Sequence, residues 1–398
     1  MPSRPPIGQA KACPTSVEKQ AQKAAVSVRV VPCDALRRYV PAWEELAARA
    51  LEPNVFYEPW MLLPAIEHIR DWEEIEVMLI SGPPGPDGEE PLWGLFPLDV
   101  QRKCLHLPMR TIAFWQHRYC YLTVPLVHKN HVGQVIDAFW RWFENNSLGC
   151  RVLDTNYLLG EGPFHTAWAD SLMGRYLLVL NEHPRGLQMR APSFESYLAN
   201  QLSKKRHHTL RRGLRHLEEL GRVGYREVEF IAQVEDWIEE FLHLESAGWK
   251  GRDGGAIAIC EQDAAFFRDI TYAGFAHGRA RLLSLDLNGN PIAMKLVLTS
   301  EDGGHIFKIA YDERYSKYSP GVILELEDLE RWHSGSKINW IDSCASARHP
   351  LYDLISNERR VIRRTLISNG SQRGDLFISA LPILRWISHR FRTKEAQL

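Results

Sequence analysis

The sequence predicts a mixed α/β (α+β) protein made of two successive halves. Three observations point there. Strand-like runs rich in β-branched and aromatic residues alternate with runs of helical apolar spacing. An order of hairpin, further strand, helix and closing strand occurs twice, ending in Asp154 and again in Asp342. The composition, 45% hydrophobic and 24% charged over 398 residues, is that of a globular chain with room for two or three domains.

Residues 1–25 are polar with several prolines and read as a disordered lead. VSVRVVP from Val26 is a strand, and a helix follows through Trp43, Leu46 and Ala47. A second helix carries Trp60, Leu63 and Ile66. Residues 76–81 and 92–100 form a hairpin around the turn segment SGPPGPDGEEP. Short strands with Phe114, Trp115, Tyr119 and Tyr121 come next, then a helix over 132–145 with Val135, Ile136, Phe139 and Phe143 on one side. GCRVLD closes this half.

Between the halves lies SKKRHHTLRRGLRHLEELG. Leu210, Leu214 and Leu217 share a face of this helix, and no acid occurs from Ser203 to His216. It reads either as a solvated amphipathic helix or as a contact for a polyanion such as cofactor phosphates, a nucleotide-sugar or tRNA. A strand over 225–231 and a helix over 234–247 precede the Gly-rich loop GWKGRDGGAIAI. After a helix over 266–277, strands over 281–287, 292–299 and 305–311, a helix from Pro320 and the strand INWID complete the second half. A helix holding Glu358, Arg359 and Arg360 and a final strand follow, then a basic amphipathic tail from Leu376. The division is therefore 1–25, 26–190, 191–375 and 376–398.

A net charge of −1 supplies no global field for nucleic acid or an anionic membrane. The 7 cysteines are scattered, odd in number and without a C-x-x-C pair, which disfavours a disulfide framework and a zinc site and suits the cytoplasm. No run approaches the ~18 apolar residues of a membrane span.

The stretch IFKIAYDERYSKYSPGVILELEDLER concentrates the functional signal. A strand leads through a charged, aromatic crossing to Ser319, a plausible N-cap, with Pro320 in the first helical turn and Gly321 bare of side chain. The first acid is Glu325, so the backbone N–H groups at this helix start are poised for a phosphate. The first half has Tyr121-Leu122-Thr123-Val124-Pro125 in the corresponding place.

ESAGWKGRDGGAI, RLLSLDLNGNPIAMKLVL, KIAYDERYSKYSPGVILELE and IDSCAS occur in that order behind SKKRHHTLRRGLRHLEELG. Together they resemble the GNAT-type acetyltransferases of the cellulose-biosynthesis (CelD/BcsL) family, themselves similar to Fem-type aminoacyl transferases. The resemblance runs from about Val26 to Leu366. It implies two tandem GNAT-like halves with mixed, mostly antiparallel sheets, of which the second is catalytic. It also implies acyl transfer from acetyl-coenzyme A or another acyl-coenzyme A, without a metal, to a small-molecule or saccharide acceptor. A Fem-like transferase using charged tRNA and a non-catalytic partner of an exopolysaccharide synthase are the alternatives. The chain departs from the family at two places: Tyr315 to Gly321 is YSKYSPG, with one Gly, and Ser343-Cys344-Ala345-Ser346 stands where many relatives carry a Gly-rich Tyr-Lys segment.

On this resemblance the pyrophosphate lies on the backbone of Ser319, Gly321 and Val322, with Pro320 also a cofactor-binding candidate. The pantetheine runs beside the strand to Tyr311, and Lys308 neutralises phosphate or binds an acidic substrate. Transfer requires a base for the acceptor. The candidates are Glu245, Asp312, Glu313 and Asp342, each of which could instead be a capping or ion-paired carboxylate. Trp249, Lys250 and Arg252 are candidates for the acceptor pocket. Cys344 is a minor candidate nucleophile, and His349 a candidate orienting residue.

Overall fold

The computed structural model describes residues 26–69, 75–86, 88–145, 147–335, 337–345, 347 and 355–395. The expected disordered lead, Ser346 and His349 lie outside them.

The first half runs β1 (Ser27–Pro32), α1 (Val40–Ala48), α2 (Pro59–His68), β2 (Ile75–Ser81), β3 (Leu92–Gln101), β4 (Thr111–Phe114), β5 (Leu126–Val127), α3 (Val132–Asn145), β6 (Val152–Leu159), α4 (Pro163–Ser171) and β7 (Leu177–Met189). The helical spacing of Val135, Ile136, Phe139 and Phe143 buries all four. Two helices, α5 (Phe194–Gln201) and α6 (Lys204–Leu220), lead into the second half. This comprises β8 (Val223–Glu227), α7 (Val234–Ala247), α8 (Trp249–Arg252), α9 (Glu261–Ala276), β9 (Ala280–Leu287), β10 (Asn290–Ser300), β11 (Gly303–Tyr311), α10 (Pro320–Gly335), β12 (Trp340–Asp342), β13 (Arg359–Ser368) and α11 (Gln372–Glu395). Asn288 and Gly289, both at positive φ, make the two-residue turn between β9 and β10.

The strands form one mixed sheet in the order β1-β2-β3-β4-β6-β13-β7-β12-β11-β10-β9-β8, with β5 beside β3. Parallel pairs occur at matching places, β4 with β6 and β11 with β12. The centre is an exchange. β7 closes the first half in sequence but pairs with β12 of the second, while β13, late in the second half, pairs with β6 of the first. The two exchanged strands pair with each other over Leu177–Gly186 and Arg359–Ile367.

Several elements differ from expectation. Arg359 and Arg360 stand in a strand, not a helix. Their spacing with Arg363 and Arg364 mimics helical periodicity, but the charges are matched across strands: Arg363 to Glu182 on β7, Arg364 to Asp154 on β6 and Arg360 to Asp342 on β12. β7 carries no clear strand signal because it contains Pro184. There, however, the N–H and C=O of its partner Val361 turn toward Gly160 and Glu161, so the pair is a non-hydrogen-bonded one. Since β12 reaches β7 only at Leu187–Met189, the missing N–H removes no ladder bond. The strand expected over 225–231 ends at Glu227, and the Gly-rich loop contains the short helix α8. The C-terminal helix begins at Gln372 and packs Phe377, Ile378 and Leu381 against Val152, Leu178, Leu180 and Leu366.

A buried charge cluster fixes α10 to the sheet. The Lys295 ammonium on β10 donates to Glu325 at 2.7 Å and Asp328 at 2.5 Å, and all three side chains are essentially inaccessible. Arg281 on β9 reaches Asp328 at 2.7 Å and Glu227 at 2.9 Å, and Gln188 of β7 donates to Glu325 at 3.0 Å. Burial alone would neutralise Lys295, but Asp328 and Glu325 hold its pKa above the ordinary lysine value.

Two outcomes follow. Lys295→Met, which leaves Glu325 with only the Gln188 amide and Asp328 with only Arg281, should lower unfolding free energy by about 3–5 kcal/mol in urea titration, whereas the triple variant with Glu325→Leu and Asp328→Leu should recover most of that loss. Residues 26–190 produced alone should elute as aggregates in size-exclusion chromatography, because β6 lacks β13 and β7 lacks both partners. Co-produced with residues 191–398, they should co-elute at the size of one full chain.

Candidate active site

The site begins where two parallel strands part. β11 and β12 pair only at Gly303, Gly304 and His305 with Trp340, Ile341 and Asp342. β12 then ends, and β11 runs on to Tyr311 with its outer edge open on that side. At Ile309 this edge offers its carbonyl to Lys250 Nζ at 3.0 Å. An extended ligand could add to such an edge as a strand does.

Beyond β11 a 3-10 turn, Glu313–Tyr318, delivers the chain to α10. Ser319 is not the expected side-chain N-cap. It adopts a left-handed conformation (φ 58°, ψ 53°), and its carbonyl accepts the N–H groups of Val322 at 3.0 Å and Ile323 at 3.1 Å. The Ser319 N–H donates to the Ser316 carbonyl at 3.0 Å. Of the three amides expected to hold phosphate, those of Ser319 and Val322 are thus engaged in the turn. Of the three, the Gly321 N–H alone has no intramolecular acceptor among the described residues.

A cavity of about 370 Å³ opens at this turn. β11 contributes Ile309, Ala310 and Tyr311; the 3-10 turn and the α10 start contribute Ser316, Ser319, Pro320, Gly321 and Val322; and the end of α7 and the start of α8 contribute Leu244, Glu245, Gly248, Trp249 and Lys250. Eight residues selected from the sequence therefore meet in one place: Glu245, Trp249, Lys250, Tyr311, Ser319, Pro320, Gly321 and Val322. Glu245 is buried, with one oxygen accepting from Lys250 Nζ at 2.8 Å and the other from the Ile257 N–H at 2.9 Å. Trp249 is half exposed at the rim. Ser316 and Leu244 carried no sequence signal, because their place in the wall depends on how α7 meets the turn.

Other candidates lie outside the cavity wall. Asp342 is fully buried, accepts from Arg360 at 3.1 Å and the Cys344 N–H at 2.7 Å, and lies 3.6 Å from Arg185. Burial would raise its pKa, but Arg185 and Arg360 hold it below the usual carboxylate value, and these ion pairs tie the exchanged strands to β12. Its counterpart Asp154 is bound by Arg364 at 2.6 Å. Asp312 caps the 3-10 turn and pairs with Arg314 at 2.6 Å, which keeps its pKa low. Glu313 binds Arg252 at 2.8 Å and the Trp249 N–H at 2.9 Å, leaving Arg252 in a rim ion pair. Burial pushes the Cys344 thiol well above its ordinary pKa, the reverse of what a nucleophile needs.

Lys308 is also absent from the wall but lies close behind it. Its ammonium sits 4.7 Å from the centre of the Tyr119 ring and forms no ion pair among the described residues. Tyr119 donates to Asp263 at 2.6 Å and stacks on Phe266. The first half thus supports the strand that lines the cavity, a long-range contact that sequence spacing does not encode. In the first half itself the corresponding segment is filled. Cys120, Leu122, Thr123 and Val124 are buried, and the Asn54 amide donates to the Leu122 and Val124 carbonyls.

Burial lowers the Lys308 pKa from 10.5 to about 8, with Glu245 opposing the shift. The folded chain then releases this proton before the unfolded chain does, so stability should rise from about pH 8 toward 10.5. Lys308→Met should therefore raise the melting temperature most below pH 8, with the gain shrinking as pH rises toward 10. A gain independent of pH in differential scanning calorimetry would rule out a neutralised lysine.

Comparison with known proteins now bears on this geometry. Residues 204–348 match the acetyltransferase (GNAT) domain family. No curated protein sequence matches the chain. The fold is similar to that of FemX (TM-score 0.54, 9% identity, 82% of this chain and 95% of that one). It is also similar to a conserved protein of Bacteroides thetaiotaomicron (TM-score 0.51, 8% identity, 86% and 99%). A third likeness is to the C-terminal domain of a protein assigned as a lysylphosphatidylglycerol synthetase from Agrobacterium fabrum (TM-score 0.51, 14% identity, 87% and 96%). At these identities the likeness is one of fold. The segment matched to the GNAT acetyltransferase domain, from α6 to just past β12, contains every residue of the cavity wall, and the match supports an acyl-coenzyme A-dependent acyltransferase.

Proposed function

We propose that the protein transfers an acetyl group from acetyl-coenzyme A to an amine or hydroxyl of a small molecule or polysaccharide precursor. The observation that carries this reading is the cavity itself: an open strand edge, a free amide at Gly321 and a buried carboxylate at Glu245 share one wall inside the segment matched to acetyltransferases. The pantetheine arm extends along β11 and the diphosphate meets the start of α10. The resemblance to the cellulose-biosynthesis family supports a saccharide acceptor. Cys33, Cys104, Cys120, Cys260 and Cys344 form no disulfide among the described residues, which fits a cytoplasmic setting.

Transfer proceeds by direct attack. The acceptor's lone pair forms a bond to the thioester carbonyl carbon, the carbonyl oxygen takes up charge, and the C–S bond then breaks to release the coenzyme thiolate. Glu245 is the carboxylate in reach of the wall, and it takes the acceptor's proton. Lys250, bonded to both Glu245 and the Ile309 carbonyl, fixes the carboxylate against β11. Trp249 at the rim excludes water from the bound acceptor.

Native mass spectrometry of the purified chain should detect a retained coenzyme A species. Glu245→Gln should lower kcat by about 100-fold or more while leaving acetyl-coenzyme A affinity within a few-fold by calorimetry. Wild-type protein that binds no coenzyme A species by either method would overturn the proposal.

A further inference from the structure

The turn at Ser319 leaves a charge problem. A diphosphate brought there meets one free amide, and the cavity wall offers Ser316, Ser319 and a single cation, Lys250, which is bonded to Glu245. The nearest dense positive charge is on α6. This helix is pressed against the turn: a Cβ added to Gly213 would come within 2.8 Å of the Tyr318 carbonyl oxygen, so only glycine allows the approach. The His216 ring lies 6.2 Å from that of Tyr318, one residue before Ser319. Lys205 and Arg212, seven residues apart, share the face of α6 that flanks Gly213, and His216, four residues further on, bonds Glu219 at 3.0 Å. Lys205 and Arg212 are exposed and form no ion pair among the described residues. Lys317, also exposed, stands 4.7 Å from the Tyr318 ring. The matched acetyltransferase segment begins at Lys204, so α6 belongs to the catalytic unit.

We propose that Lys205 and Arg212 of α6, together with Lys317, receive the 3′-phosphate of the coenzyme's adenosine end as it leaves the cavity. This rests on the acyl-coenzyme A reading above and deepens it. A phosphomonoester dianion suits exposed cations without an ion pair, Lys317 beside Tyr318 and Arg212 next to the Gly213 contact, with Lys205 two turns further along α6. The loss of amides to the turn is then offset by side chains from a neighbouring helix.

The test is calorimetry on the full chain with coenzyme A and with 3′-dephospho-coenzyme A. Wild type should bind coenzyme A about tenfold or more tightly than the dephospho form, and the preference should shrink as salt rises. The double variant Lys205→Ala/Arg212→Ala should lose the preference while its affinity for the dephospho form stays within about twofold. Arg212→Lys in the Lys205 background should retain most of it. Equal wild-type affinities would overturn the inference but leave the coenzyme site standing. Loss of both affinities in the double variant would assign the helix to the diphosphate instead. Absence of binding to either compound would remove the site reading and this one with it. A gel shift with tRNA that the double variant abolishes, without any difference between the two coenzyme forms, would show that α6 serves another polyanion.

Discussion

The attachment of one helix to the sheet by buried charge underlies the rest of the structure. α10 places Gly321 and Val322 at the cavity, and Lys295, Arg281, Glu325 and Asp328 fix its position. An apolar interface would hold the helix as firmly, but it would tolerate sliding by a fraction of a turn. Paired charges in a dry setting have one good registry. For a turn with a single unengaged amide, registry matters more than raw stability.

The same cluster reaches the exchanged strands. Gln188 of β7 donates to Glu325, and Asp342 at the end of β12 is held by Arg185 of β7 and Arg360 of β13. The halves are therefore coupled twice, once through backbone ladders and once through side-chain charge. The first half's own turn region is packed solid, and what it lends the cavity is support: Tyr119, braced by Asp263, lies under Lys308 on the strand that lines the cavity.

Much of this was legible in the sequence. The hairpins, α3, α7 and α10 follow from apolar spacing and turn residues, and the repeated order of elements anticipates the two matching parallel pairs. The cavity wall was readable where adjacent residues supply it, as with Trp249 and Lys250 or Ser319 to Val322. The two aspartates that close each half were visible as a repeat, but their role was not. Arg364 lies 210 residues beyond Asp154, and nothing local shows that a distant arginine will neutralise a carboxylate. β13 was misread for the same reason, since arginines chosen for partners on three different strands happen to follow a helical rhythm. At Ser319 residue type suggested a side-chain cap, whereas the left-handed backbone used the carbonyl and withdrew two amides.

The strand exchange has a consequence for synthesis. β6 ends at Leu159, and the strand that covers its edge does not begin until Arg359. At ribosomal speed the intervening stretch of about 200 residues takes on the order of 10–40 s to emerge. For that time the nascent amino-terminal portion carries an uncovered β edge. Until the last strand arrives, the growing chain depends on whatever shields that edge in the cell.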